Sequence, residues 1–243
     1  YLKSLFQDHV ALPKYGIGKI AEEISHKLEK NTIQFKTKVK RVLENGVELL
    51  NGDFIESKFV IVATNAIHAN IILQQKFIAA ECSHASTLYF STDKAPLSKP
   101  VVMLNGDNGT TLVNHLFVPT LLHPNYAPNG KHLVAVNVVK EHDLDDEELI
   151  GRCMTELSGW FGLKVMDWEH LKTYHIKYAM PFKPILDEVE FSKKVSDTIF
   201  LCGDSLSVGS METALRSGRE TANNVAEQFN KRNFKQTDLS ATI

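Results

Sequence analysis

The sequence lacks the features by which several classes of protein are recognised. Its three cysteines, Cys82, Cys153 and Cys202, lie far apart and lack Cys-x-x-Cys spacing, which argues against a disulfide framework or a structural zinc site. The purest apolar run is residues 59–63, far short of the ~20 residues that a membrane-spanning helix needs. A formal net charge of −2 gives no reason to expect nucleic acid as a partner.

Metal-binding and export signals are missing as well. None of the ten histidines has His-x-x-x-His spacing, and the acidic run 143–148 lacks the glycine and ligand spacing of a calcium loop, so no metal site is expected. Residues 1–6 do not read as a signal peptide, and reduced cysteines suit the cytoplasm, which is the predicted location. The chain does not begin with Met, so we expect a processed or incomplete piece.

The first part of the chain alternates helix and strand patterns. Residues 16–30 place apolar side chains at helical spacing, which predicts an amphipathic helix. Residues 32–42 alternate apolar and polar side chains, which predicts a strand, and Glu44-Asn-Gly46 predicts a hairpin turn after it. A short strand is predicted at residues 54–57. The continuously apolar segment 59–63 predicts a strand that is covered on both faces.

The middle of the chain, residues 67–198, predicts a mainly antiparallel sheet. Its strand candidates lie at residues 86–91, 101–104, 111–118, 132–139 and 173–180. One helix interrupts them: Asp145 or Asp146 can cap its start, and Phe161-Gly162 can end it. We therefore predict a β-rich insert over residues 67–198.

The end of the chain returns to the pattern of its beginning. Residues 199–202 predict a buried strand, and residues 210–229 predict a helix. The predicted class is an α/β (α+β) mixture, in which residues 1–66 and 199–230 lie on either side of the insert. Residues 231–243 are predicted to be a polar tail that frays.

The turn between the last strand and the last helix combines groups that can hold a polar ligand. Asp204 follows the strand, and its carboxylate can accept hydrogen bonds from sugar-like hydroxyls. Gly203 and Gly209 permit a close approach to the backbone, and the N–H of Met211 at the helix start can face an electron-rich carbonyl. Gly-Asp alone fits an ordinary strand-end turn equally well, but the spacing from Gly203 to Gly218 is more specific.

Five segments resemble, in order, the flavin-containing amine oxidase superfamily, on the side of the protoporphyrinogen oxidases and carotenoid desaturases. They are Leu12–Gly18, Lys38–Val42, Val60–Ala66, Trp168–Pro181 and Phe200–Gly218. Each match is loose, but their shared order along almost the whole chain argues against coincidence. The resemblance implies the C-terminal part of an FAD-binding doubly wound fold, formed by residues 1–66 and 199–230, with residues 67–198 as an inserted substrate-binding domain. It also implies an FAD-dependent oxidoreductase that removes a hydride from an apolar or amphipathic small molecule.

The resemblance also implies roles for individual residues. The backbone of Val39 would meet the adenine of FAD, Asp204 would hold the ribityl chain, and the N–H of Met211 would face the flavin ring. The remaining cofactor-binding candidates are Gly203, Gly209 and Ala214. The substrate-lining candidates are Tyr174, Tyr178 and Met180. The two tyrosines fit the core of a sheet equally well, and no residue is assigned as a general base.

Two departures from the family pattern leave the activity of this chain open. The family's Gly-x-Gly-x-x-Gly segment has no counterpart, because Gly16-Ile-Gly18 is followed by Ala21 and no apolar strand precedes it. Ser210 stands where amine-oxidising members place an aromatic residue, and no lysine can be placed beside the flavin. We therefore expect an inactive fragment of an FAD enzyme.

The alternative is a cofactor-free binding or structural module of the same fold. In both cases the missing segment would leave the apolar strand at residues 59–63 with an exposed flank, or with one that a partner chain or the missing N-terminal half covers. A small-molecule substrate is the only other partner that the sequence suggests.

Overall fold

The computed structural model describes residues 11–77, 81–107, 109–181 and 190–240, with only the backbone for residues 232–240. The predictions for residues 1–6 and for the last three residues of the tail lie outside these ranges.

The helices are α1 Gly18–Ser25, α2 Ala66–Leu73, α3 Asp146–Phe161 and α4 Met211–Ser240. The strands are β1 Val39–Leu43, β2 Gly46–Leu49, β3 Phe54–Glu56, β4 Val60–Val62, β5 Cys82–Thr92, β6 Met103–Leu104, β7 His115–Phe117, β8 His132–Val138, β9 Glu169–Pro181, β10 Lys193–Lys194 and β11 Ile199–Leu201. Short 3-10 turns lie at Pro119–Leu121, Pro124–Tyr126, Leu163–Asp167 and Asp204–Leu206.

The chain divides into two compact units. Unit 1 comprises residues 1–33 and 84–177, and unit 2 comprises residues 34–83 and 178–243. Residues 34–83 and residues 178–243 are far apart in sequence but share one core in unit 2.

Unit 1 contains most of a five-stranded sheet with the order β6-β7-β8-β5-β9. From Ser86 onward every second side chain of β5, such as those of Leu88 and Phe90, is buried, as the two-residue period of a strand requires. Helix α3 covers this core with Leu149, Cys153 and Leu157, which recur at helical spacing and are fully buried. The predicted combination of a mainly antiparallel sheet and one packed helix is confirmed.

Helix α3 begins and ends at the capping residues that the sequence predicts. The Asp145 carboxylate accepts a hydrogen bond from the Glu148 N–H at 2.9 Å, so Asp145 rather than Asp146 is the cap. At the other end Gly162 adopts a φ of +76°, a conformation that glycine tolerates and that stops the helix.

Unit 2 contains two three-stranded sheets, β1-β2-β3 and β10-β11-β4. The predicted hairpin is present, with Leu43 opposite Gly46. Strand β11 pairs in parallel with β4, and Val60, Val62, Ile199 and Leu201 form a shared apolar core.

A carboxylate joins the hairpin of unit 2 to the start of β11. Glu44 accepts hydrogen bonds from the hydroxyls of Ser196, at 2.9 Å, and Thr198. The hairpin turn and the approach to β11 are 152 residues apart in sequence at this contact. These hydrogen bonds therefore hold together two segments that are far apart in sequence.

Several predicted boundaries are wrong. The predicted helix over residues 16–30 covers only Gly18–Ser25 and buries no side chain. The predicted strand over residues 32–42 begins only at Val39, because Lys36 adopts a φ of +58° and interrupts the extended run. The last helix continues through Ser240, beyond the end predicted at residue 229 and into the predicted tail.

The expectation that residues 59–63 are covered on both faces is also wrong within the described part of the chain. Strand β4 is an outer strand of its sheet, and Val60 and Val62 are buried whereas Ile61 is 41% exposed. A continuous apolar run does not by itself distinguish a strand buried on both faces from one buried on a single face.

Two kinds of feature are absent from the described residues. No helix there has both the length and the apolarity to cross a bilayer. No three or more His, Cys, Asp or Glu side chains in this part of the chain are placed to hold a metal ion.

Candidate functional site

The candidate site lies in unit 2, at the carboxyl ends of the parallel strands β4 and β11. The Cys202 N–H donates to the Val62 carbonyl at 3.0 Å and extends the pairing by one residue beyond β11. Gly203 then adopts φ +138° and ψ 168°, a combination that is essentially restricted to glycine. This sharp change of direction places Asp204 at the edge of the sheet, where ligands bind in open α/β folds.

A buried hydroxyl of helix α4 holds this turn in place. The Ser217 hydroxyl accepts the Gly203 N–H at 2.8 Å and donates to the Phe191 carbonyl, and its residue is fully buried. One turn further, the Thr221 hydroxyl donates to the Leu201 carbonyl at 3.5 Å. The sequence prediction missed both residues, although two small polar side chains four apart on the apolar face of a helix are a detectable signal.

The start of α4 is capped by Ser210, the residue that departs from the family pattern. Its hydroxyl accepts the Thr213 N–H at 3.1 Å, and its carbonyl accepts the Ala214 N–H at 3.0 Å. The earlier N–H groups, those of Met211 and Glu212, have no acceptor within the helix and no partner among the described residues. The positive end of the helix dipole therefore offers two donors.

A cavity of about 100 Å³ lies beside the turn, within unit 2. Its lining includes Asn65, Glu81, Tyr178, Asp204 and Ser205. Burial raises the pKa of the Asp204 carboxyl above its ordinary value, and hydrogen bonds from the backbone N–H groups of Asp204 and Ser205 oppose the rise. The Ser205 hydroxyl is buried and has no hydrogen-bond partner among the described residues.

These groups fit part of a flavin nucleotide. A carboxylate and an unpartnered hydroxyl can bond to the hydroxyls of a ribityl chain, and a helix start can face an electron-rich ring. The cavity is smaller than the ~300–1,000 Å³ that encloses a typical small-molecule ligand. It therefore suits one portion of a large ligand rather than the whole.

The other predicted cofactor residues lie at different places in unit 2. Val39 lies on β1, opposite Leu49, and does not line the cavity. A Cβ on Gly209 would come within 2.7 Å of the Met180 Cγ and 2.9 Å of the Pro181 Cδ, so in this structure the end of β9 approaches its backbone. Met211 is 47% exposed at the start of α4.

The three substrate-lining candidates alternate along β9 and are half exposed. The two tyrosines, Tyr174 and Tyr178, therefore do not belong to a buried sheet core in the described structure. Tyr174 packs edge-on against Tyr89 with ring centroids 5.9 Å apart, and Tyr178 lines the Asp204 cavity. Met180 lies against Gly209.

Comparison of the sequence with family profiles gives a match over almost the whole chain. The profile described as flavin containing amine oxidoreductase matches residues 3–226. No curated protein matches the sequence significantly.

Several solved structures have a similar fold. Reduced UDP-galactopyranose mutase is 12% identical with a TM-score of 0.57, over 73% of this chain and 45% of its own. The PF1083 protein from Pyrococcus furiosus is 11% identical with a TM-score of 0.52, over 73% and 43%. A candidate protoporphyrinogen oxidase from Exiguobacterium sp. 255-15 is 14% identical with a TM-score of 0.51, over 66% and 38%.

At these identities the likeness shows the fold. It agrees with the predicted α/β class. In each comparison the matched part amounts to less than half of the solved chain.

Proposed function

Because the chain belongs to the flavin containing amine oxidoreductase family, we propose that it supplies the part of an FAD-dependent oxidoreductase that holds the ribityl chain and the flavin ring. The flavin, when bound, accepts a hydride from an apolar or amphipathic small molecule. The observation that carries this proposal is the Gly203–Ser205 turn, where a carboxylate and an unpartnered buried hydroxyl lie together at the ends of two parallel strands.

Asp204 and Ser205 would bind the ribityl chain. The Asp204 carboxylate accepts hydrogen bonds from two or more hydroxyls, and a bond to a charged acceptor contributes about 1.5–3 kcal/mol. The Ser205 hydroxyl gains its missing partner when a ribityl oxygen enters the cavity. The contact with Ser205 would restore hydrogen bonding that burial has removed, which supports a polar ligand at this place.

The start of α4 would hold the ring. The N–H groups of Met211 and Glu212 point out of the first helical turn, and the helix dipole favours negative charge on the ring edge that they face. Ser210 supports this arrangement, because it satisfies the Thr213 N–H and fixes where the helix begins. Ala214 and Gly203 keep side-chain bulk low around the ligand, whereas Gly209 makes room for the end of β9 beside the start of α4.

The backbone of Val39 would meet the adenine. Strand β1 is paired with β2 on one side only within the described residues, because the sheet order is β1-β2-β3. Its other edge therefore presents backbone donors and acceptors of the kind that recognise a base edge. Tyr178 and Met180 would line the substrate side, as exposed apolar side chains on β9.

Titration with riboflavin and with FAD tests the proposal on this chain. Riboflavin carries the ring and the ribityl chain alone, so its binding reports on Asp204 and the start of α4. FAD should bind more tightly by the contribution of the Val39 contact. Binding is measured by calorimetry and by the perturbation of the flavin absorption band near about 450 nm.

Matched variants distinguish specific binding at this site from non-specific binding. Asp204→Asn removes the charged acceptor and should weaken riboflavin binding at least ~10-fold, as expected when one charge-assisted hydrogen bond is lost. Asp53→Asn, an exposed carboxylate in the same unit, should leave the affinity unchanged. If the folded chain takes up neither ligand, the cofactor-free module becomes the better description.

A further inference from the structure

A second polar cluster lies in unit 1 and plays no part in the proposed flavin site. The Ser86 hydroxyl oxygen lies 2.9 Å from the His175 Nδ1 and 3.1 Å from the His142 Nε2. The His175 Nε2 in turn lies 2.6 Å from an Asp146 carboxylate oxygen. Four side chains thus form one continuous chain of hydrogen bonds.

The fold brings these residues together from separate elements. Ser86 lies on β5 opposite Val138, the last residue of β8, so the chain that leaves β8 passes Ser86 and carries His142 to it. His175 lies on β9, the neighbour of β5 on the other side. Asp146 is the first residue of α3. The residues are distant in sequence, which explains why no motif reveals the cluster.

With a neutral His175, the four groups allow one consistent set of bond directions. The Asp146 carboxylate can only accept, so the His175 Nε2 carries the proton and its Nδ1 is the basic nitrogen. The Ser86 hydroxyl therefore donates to the His175 Nδ1 and accepts from the His142 Nε2–H. The His142 Nδ1 is left as a buried acceptor without a partner among the described residues.

This is the arrangement of an activated nucleophile: a hydroxyl within hydrogen-bond reach of a base that a third group orients. A cavity of about 160 Å³ adjoins it, and Ser86, His142 and His175 are among the residues that line it. Ser86 is only 6% exposed, so a reagent reaches it through this cavity. The volume lies below the ~300–1,000 Å³ of drug-sized sites, which limits the ligand to a small acyl group.

We propose that Ser86 is a nucleophilic serine that accepts small acyl groups from activated esters. The Ser86 oxygen attacks the ester carbonyl carbon while its proton passes to the His175 Nδ1. The carbon–oxygen bond to the alcohol breaks, and His175 returns the proton to the departing alkoxide. A water molecule, deprotonated by His175 in the same way, then attacks the acyl carbon. The bond to the Ser86 oxygen breaks, His175 returns its proton to that oxygen, and the acyl group leaves as a carboxylic acid. The His142 Nε2–H stabilises the negative charge that develops next to Ser86.

The experiment treats the full chain with p-nitrophenyl acetate, without any flavin. Release of p-nitrophenol gives the rate, and mass spectrometry of proteolytic peptides identifies the acetylated residue. We expect acetylation of Ser86 in the wild-type protein. His175→Gln, which keeps a hydrogen-bonding amide but removes the base, should slow it at least ~100-fold. Asp146→Asn should slow it to a smaller extent, because Asp146 acts only by orienting His175.

Ser91→Ala is the matched control, since Ser91 lies on the same strand without a histidine partner among the described residues, and acetylation of Ser86 should be unchanged. Peptide mapping of the wild-type protein needs no variant, so a misfolded variant does not remove the test. An acetyl group found only on other residues overturns the proposal, as does acetylation of Ser86 at the wild-type rate in folded His175→Gln. Because no flavin is involved, neither result bears on the proposed oxidoreductase function.

Discussion

The Ser217 hydroxyl accepts the Gly203 N–H at 2.8 Å and so joins helix α4 to the turn that presents Asp204. The same hydroxyl donates to the Phe191 carbonyl. One buried side chain therefore fixes the turn between the strand and the helix relative to the segment that precedes β11. The geometry of the candidate site therefore depends on a residue that does not line the cavity.

Ser217→Ala should lower the free energy of unfolding by about 1–3 kcal/mol, because the partly buried Gly203 N–H and Phe191 carbonyl lose the buried hydroxyl that pairs with both. Urea denaturation followed by circular dichroism measures the change. Ser25→Ala, at an exposed hydroxyl of α1, is the control and should change stability by less than ~0.5 kcal/mol. Equal effects of the two substitutions would contradict the assigned role of Ser217.

Gly203→Ala tests whether the turn requires glycine because of its backbone conformation or because a side chain would not fit. A Cβ there would meet the Ser205 oxygen at 3.8 Å, an ordinary contact, so the penalty comes from the φ of +138°. We expect a loss of about 1–3 kcal/mol, as for other backbones held in sparsely populated regions.

Gly151→Ala provides the comparison, since Gly151 lies in α3 with open space around it. Alanine is preferred to glycine in a helix by about 0.8–1 kcal/mol, so this variant should be more stable than the wild type. Thermal unfolding of the two variants should shift in opposite directions. A shift in the same direction would show that backbone conformation does not decide the effect at Gly203.

The raised pKa of Asp204 predicts a specific dependence of stability on pH. The folded chain holds this proton to a higher pH than the unfolded chain, so the contribution of Asp204 to the free energy of unfolding is greatest at low pH. This contribution is lost as the pH rises from the ordinary aspartate value of about 4 through the folded pKa. Asp204→Asn should remove this part of the pH dependence. Unfolding free energies of both proteins between pH 3 and pH 7, roughly the range over which carboxyls titrate, check it.

The same carboxyl links pH to ligand binding. Ribityl hydroxyls donate to the ionised form of Asp204, so riboflavin should bind more tightly as the pH rises through the same window. Calorimetry at several pH values measures this trend. Binding that weakens with rising pH would mean that the ligand prefers the protonated carboxyl, contrary to the proposed contact.

The three thiols should differ in reactivity. Burial raises the pKa of Cys153 to about 12 and also raises the pKa of Cys202. Cys82 is only partly buried. Since the thiolate is the reacting form, iodoacetamide at mildly alkaline pH should modify Cys82 first and the other two only after unfolding. Peptide mass spectrometry with and without urea distinguishes the sites, and early modification of Cys153 would contradict its burial.

Local signals account for the parts of the structure that the sequence predicts well. Helix α3 has an aspartate cap, a periodic apolar face and a terminal glycine, and all three act within a few residues. The hairpin at residues 44–46 is likewise decided by its own turn residues. Strands β4 and β11 are short and strongly apolar, so their existence is predictable although their exposure is not.

The remainder depends on contacts between distant residues. Lys36 adopts a left-handed conformation that no local preference indicates, and it removes half of a predicted strand. The roles of Ser205 and Ser217 follow from burial and from partners far along the chain. The histidines that flank Ser86 show the same limit: their spacing in sequence carries no motif, and only the neighbouring positions of β5 and β9 bring them together.

The contact of Glu44 with Ser196 has a consequence for the order of folding. Its partners are 152 residues apart, and the parallel pairing of β4 with β11 spans a similar length of chain. Loop-closure entropy delays such pairings, whereas the hairpin at residues 39–49 closes within a few residues. The sheet that supports the candidate site should therefore assemble late, after residues 84–177 have already become compact.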